Sequence, residues 1–180
     1  ANKMRSADRL VRFGYLRRLI SQLKLPYVKK WIDDFLEESD SKLILFGVHK
    51  FVVKGLQLQY PGISTRIDGS VIGEKRQHAI NSFTNNKRIR IMFGNIQAAG
   101  VGWNGTAANT CAFAELDWVP ALHTQAGKRI HRIGQKQKTF ENYLIVRGTI
   151  EQRLCEINEA KQVVIDHALD GGEQDESFDV

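Results

Sequence analysis

The stretch Gln125-Ala-Gly-Lys-Arg129-Ile-His-Arg132-Ile-Gly-Gln135 carries the side chains best suited to chemistry. On a helix, an advance of about 100° per residue puts Gln125, Arg129 and Arg132 within an arc of roughly 60°. Two guanidiniums on one face repel each other slightly, and Lys128 stands at the edge of that face. A solvated face tolerates this cost, whereas a docked anion reverses it. Arginine's rigid fork matches phosphate oxygens, including the charge that builds up during phosphoryl transfer. The stretch reads either as a wet helix face or as a phosphate grip.

A complete nucleotide site needs more than arginines. The sequence has no GxxxxGK[ST] loop, and no Asp-Glu pair closes an apolar strand as a magnesium-holding motif requires. Lys128 does follow a glycine, but Leu122 stands where the first glycine of that loop belongs. Phosphate-facing arginines without a phosphate cradle read as one side of a split site. The five histidines show no metal-ligand spacing, and Cys111 and Cys155 form no CxxC pair, so no metal site is expected.

Other loops offer weaker signals. Asn95-Ile-Gln-Ala-Ala-Gly100-Val-Gly102-Trp-Asn104-Gly105 is rich in small residues, which let backbone N–H groups approach phosphate or sugar. Ordinary turn geometry is the commoner explanation of such glycines. Asp68-Gly69-Ser70 has the chemistry of a tight turn, or of a backbone and hydroxyl contact to nucleic-acid phosphate. His49 and Lys50 form either a solvated loop or a phosphate contact. Trp103 and Trp118 could stack on bases, although anchoring in core or loop is the commoner role. His131 points away from the arginine face by helical geometry.

The elements that must position these groups follow from hydrophobic patterning. Residues 1–24 are basic and read as a connecting arm or helix, and Pro26 suits the first position of a new helix with the stripe Val28, Trp31, Ile32, Phe35 and Leu36. Short apolar runs at Leu43–Phe46, Thr65–Ile67, Ile89–Phe93, Thr110–Ala114 and Tyr143–Val146 read as strands. Helices are expected over about His49–Gln59 and Gly73–Phe83, from Pro120 and from Thr149. Continuously apolar strands alternating with amphipathic helices predict an α/β fold, a mostly parallel sheet covered on both faces. Ligands of such sheets bind at the carboxyl ends of the strands.

The chain has 180 residues, 42% hydrophobic and 26% charged, with a net charge of +6. That length suits one domain, expected over 25–170. The segment 171–180 holds four acids and no base, reads as a disordered acidic tail, and leaves the rest of the chain at +10. A basic body favours a polyanionic partner. Two lone thiols, no membrane-length apolar run and no signal peptide predict a soluble intracellular protein, nuclear in a eukaryote and cytoplasmic in a prokaryote. The opening Ala-Asn-Lys-Met-Arg reads as a cut inside a longer protein.

In this order, the pieces resemble the second RecA-like lobe of a Swi/Snf-type ATPase of helicase superfamily 2, over about Lys24 to Ala168. Lys42–Lys50 is similar to the family's fourth motif, Asn95–Asn104 to the fifth, Asp117-Trp118-Val119-Pro120 to its Trp-Asn-Pro element and Gln125–Gln135 to the sixth. Arg66–Val71, Ile96–Gly100, Phe113–Leu116 and Tyr143–Ile145 look most like the annealing-helicase branch, which remodels forked DNA. The resemblance implies that Arg129 and Arg132 are arginine fingers for ATP held with Mg²⁺ mainly on an N-terminal RecA-like lobe. It places Gln125, Gly102 and Asn104 near the nucleotide, and His49, Lys50, Gly69, Ser70, Asn95 and Gln97 on the backbone of double-stranded or forked DNA. It further implies a DNA translocase whose isolated C-terminal lobe is inactive. Lys128, Val119, Asn95 and Trp103 depart from the family's usual residues. A motor-dead nucleic-acid or partner-binding module, or an RNA helicase lobe, is the alternative.

Overall fold

The computed structural model describes residues 2–99 and 102–169. The acidic tail expected over 171–180 lies outside these residues, as do Gly100 and Val101. Five strands, β1 (Leu43–Gly47), β2 (Ser64–Ile67), β3 (Ile91–Asn95), β4 (Thr110–Phe113) and β5 (Phe140–Tyr143), form one sheet in the order β2-β3-β1-β4-β5. All four pairings are parallel, which completes the expected α/β RecA-like architecture.

The inner strands are buried on both sides, so their side chains divide by parity. Leu43, Leu45, Ile91, Phe93 and Ala112 face one apolar cluster. It is covered by α1 (Asn2–Glu38) through Val28 and Ile32, and by α2 (Lys50–Gln57) through Val52, Val53 and Leu56. Ile44, Phe46, Met92, Cys111 and Phe113 face the opposite cluster. There α3 (Gly73–Asn85), α4 (Ile96–Ala99), α5 (Pro120–Gly127) and α6 (Ile150–Leu169) contribute Ala79, Phe83, Ile96, Ala126 and Leu154.

Three elements differ from expectation. Pro26 does not open a helix but lies inside α1. A proline within a helix costs about 3 kcal/mol, and here anchors on both sides hold the helix together. Before it, Lys24 donates to the Leu144 carbonyl and forms a buried ion pair with Glu151; after it, Val28 and Ile32 enter the core. Burial presses the Lys24 amine below its ordinary value, against the pull of Glu151. The last strand lies at Phe140–Tyr143 rather than Tyr143–Val146, because the Val146 N–H is taken by the Glu151 carboxylate, 3.1 Å away. The helix from Pro120 stops at Gly127, before either arginine.

Candidate functional site

Beyond α5 the backbone tightens into successive turns, with Arg129 N–H donating to Ala126 O at 3.0 Å and Ile130 N–H to Gly127 O at 3.0 Å. The expected 60° helical face therefore does not exist. Other parts of the chain shape this turn. The Gln135 side-chain amide donates to the carbonyls of Ala108 (2.8 Å), Ile130 (3.3 Å) and Thr106 (3.4 Å), and the Gly105 N–H donates to Arg129 O at 3.0 Å. A Cβ on Gly105 would stand 3.0 Å from that oxygen and 2.9 Å from Ile44 Cδ1, so glycine permits the approach. These contacts seat the arginines against the loop that feeds β4, not among the loops at the carboxyl ends of the strands.

The turn still brings the two arginines together. Arg129 Nη1 and Arg132 Nη1 both donate to the Trp103 carbonyl, at 3.3 and 3.4 Å. Arg129 is half-buried, Arg132 exposed, and neither pairs with a carboxylate among the described residues. Arg129 Nε is buried with no hydrogen-bond partner. Burial and the neighbouring Arg132 charge both press the Arg129 guanidinium below its ordinary value. Uncompensated, partly desolvated positive charge is what a phosphate would relieve, so the residues present fit such a group.

Gly102 and Asn104 flank Trp103, beside an open hollow of about 270 Å³ that reaches α3 at Gln77, Ile80 and Thr84. Gly102 has φ +77°, a conformation that favours glycine. Asn104 Oδ1 accepts the Thr106 N–H at 3.1 Å and so shapes its own turn. Trp103 is buried and meets Phe83 edge-on, while Trp118 packs at a tilt against Phe13 with Arg17 over its ring. Both tryptophans anchor the fold. Gln125 is exposed on α5, one turn before the arginines, and His131 is exposed as well.

The sheet order places β2, β3 and β1 side by side, which gathers the remaining candidates at one edge of the lobe. Lys50, Gly69, Ser70 and Gln97 are exposed there. Ser70 donates through its hydroxyl and its N–H to Asp68, whose other oxygen meets Arg66 Nε at 3.1 Å. Burial opposes ionisation of Asp68, but Ser70 and Arg66 outweigh it and hold the carboxyl below its usual range. Asn95 is structural in its side chain: Nδ2 donates to Val48 O at 2.6 Å and Oδ1 receives the Gln97 N–H at 3.2 Å.

His49 is half-buried, and its Nδ1 lies 2.5 Å from Glu115. Glu115 also receives the N–H groups of Val48 and His49, both at 2.8 Å, and the Ser21 hydroxyl. Burial alone would raise its carboxyl, yet the bonds from His49 and Ser21 prevail and hold it below the usual carboxylate range. Sequence reasoning passed over Glu115 as a site residue. Its signal was a charged residue directly after the apolar run Cys111–Ala114, a place where a carboxylate must find partners.

Among the described residues no group of His, Cys, Asp or Glu could hold a metal ion, and no helix is long and apolar enough to cross a membrane. A parallel five-stranded sheet covered by helices on both faces has the architecture of a RecA-like lobe. Residues 24–134 match the helicase conserved C-terminal domain, and the chain belongs to that family, in its Swi/Snf type. The DNA annealing helicase and endonuclease ZRANB3 of Mus musculus is 33% identical over 164 residues, covering 88% of this chain and 15% of that protein. The SWI/SNF-related matrix-associated actin-dependent regulator of chromatin subfamily A-like protein 1 of Bos taurus is 32% identical over 151 residues, covering 82% of this chain and 16% of that protein. The chain thus spans about a sixth of the length of these relatives. The crystal structure of the C-terminal part of the Fun30 ATPase domain superposes with a TM-score of 0.68 at 25% identity, covering 75% of this chain and 44% of that one.

Proposed function

We propose that the chain is the C-terminal motor lobe of an ATP-dependent double-stranded DNA translocase. The observation that supports this most is the half-buried Arg129, with its Nε unpartnered, a second arginine at its side and no carboxylate partner among the described residues. ATP, when bound with Mg²⁺ on an N-terminal RecA-like lobe, supplies the phosphoryl group whose charge this pair is suited to neutralise. Arg129 and Arg132 act as fingers, Gln125 positions their turn, and Gly102 and Asn104 form its neighbouring wall. His49, Lys50, Gly69, Ser70 and Gln97 meet the phosphate backbone of duplex or forked DNA, and Asn95 holds two of their loops together. The relatives named for DNA annealing and for chromatin support a DNA track.

This half-site predicts that the pure 180-residue chain hydrolyses no ATP, with or without Mg²⁺ and DNA. Metal-dependent hydrolysis by the chain alone, abolished by Arg132→Ala, would overturn it. Stimulation of the two-lobed enzyme by RNA in place of double-stranded DNA would reassign the track.

A further inference from the structure

The proposed DNA-facing loop depends on a buried carboxylate from another strand. Glu115, just beyond β4, is 2% exposed and collects four hydrogen bonds from two separate elements. Oε2 accepts the successive Val48 and His49 N–H groups, which fixes the backbone entering α2. Oε1 faces His49 Nδ1 and the Ser21 hydroxyl, so the imidazole is held by Nδ1 and its other nitrogen lies on the side away from Glu115. The fit is close: a Cβ on Gly47 would stand 3.2 Å from Glu115 Oε2 and 3.0 Å from Val53 Cγ2. Ser21 belongs to α1, and its hydroxyl also contacts the Arg17 carbonyl at 2.8 Å. Arg17 itself donates to the Leu116 carbonyl beside Glu115. No side-chain cap starts α2, and Glu115 accepts the N–H of the N-cap residue His49 from a distance, as the acidic member of a capping box does locally.

We propose that Glu115 is a positioning residue for the DNA-backbone contacts of His49 and Lys50, and that Ser21 couples those contacts to α1. Glu115 touches no substrate and acts through His49 and the backbone it pins. A carboxylate accepting four bonds orients a loop more firmly than neutral partners do. The inference rests on the reading of the Val48–Lys50 loop as a DNA contact.

The test uses the whole gene product and measures duplex-DNA affinity by anisotropy together with DNA-stimulated ATP turnover. Glu115→Gln keeps the volume but puts an amide where an acceptor oxygen is needed. It should raise the half-saturating duplex concentration about 5- to 10-fold while turnover at saturating DNA stays within about 2-fold. The Glu115→Gln/His49→Ala double variant should lose less than the product of the two single losses, since only the share acting through the backbone and Lys50 remains. Ser21→Ala removes one of the four donors and serves if Glu115→Gln folds poorly; about a 2-fold loss of affinity is expected. Losses that multiply in the double variant, or turnover that falls at unchanged affinity, overturn the proposal. If His49→Ala and Lys50→Ala weaken binding while Glu115→Gln and Ser21→Ala do not, the inference fails and the DNA reading of the loop stands. If neither His49→Ala nor Lys50→Ala affects binding, the DNA reading fails and the inference falls with it.

Discussion

The guanidiniums of Arg129 and Arg132 converge on one acceptor, the carbonyl oxygen of Trp103, at 3.3 and 3.4 Å. Two cations share a single neutral oxygen, which satisfies part of their hydrogen bonding and none of their charge. Because the acceptor belongs to the backbone, the arrangement depends on where the Trp103 loop sits. The buried Trp103 side chain, edge-on to Phe83, ties that loop to α3.

Gly105 is the narrowest point of this arrangement. Gly105→Ala should displace Arg129 O or Ile44, destabilise the fold by about 1–3 kcal/mol and lower turnover of the two-lobed enzyme. Thermal melting and steady-state ATP hydrolysis check it. Unchanged turnover would detach the arginine turn from the Gly105 contact.

The buried pair Lys24–Glu151 joins α1 to α6 across the carboxyl ends of the sheet. Lys24→Ala leaves Glu151 without its cation, and breaking such a pair costs about 3–5 kcal/mol. Denaturant melts of the 180-residue chain should show a lower midpoint with little change in slope. A loss below about 1 kcal/mol would mean that the pair contributes no more than a surface one.

Acid should weaken the fold through Glu115. Its folded-state carboxyl is held below the ordinary range, so its stabilisation is fully present above the unfolded value and is lost as pH falls through the folded one. The melting temperature of the native chain should exceed that of Glu115→Gln at neutral pH, and the gap should narrow progressively as pH falls below the ordinary glutamate value of about 4.3. A gap that stays constant from neutral pH to below that range would contradict the assignment.

Lys50 is exposed at the start of α2, beside His49. Lys50→Ala should weaken duplex binding alike for all sequences and reduce the slope of log K against log salt by about 0.9. An unchanged slope removes Lys50 from the contact surface.

The sheet was legible because runs such as Leu43-Ile-Leu-Phe46 are apolar at every position, a pattern that a two-sided parallel sheet demands. Pro26 misled because a local rule about proline competes with anchors at Lys24, Val28 and Ile32 that only the folded chain supplies. The arginines were found by residue type, but their geometry was misread. Helical spacing is a property of local sequence, whereas this turn is set by Gln135 and Gly105 reaching to other loops. Glu115 was hidden for a related reason, since its partners Ser21, Val48 and His49 are far away in sequence.

The role proposed for Arg129 and Arg132 is to serve a nucleotide bound elsewhere. Its most direct test is DNA-stimulated ATP hydrolysis by the two-lobed enzyme carrying Arg132→Ala, with duplex affinity measured in parallel. A fall in turnover of about 10³- to 10⁵-fold at nearly unchanged DNA affinity is predicted. Turnover that survives the substitution would make the pair a solvated turn and rule out a finger role for Arg132.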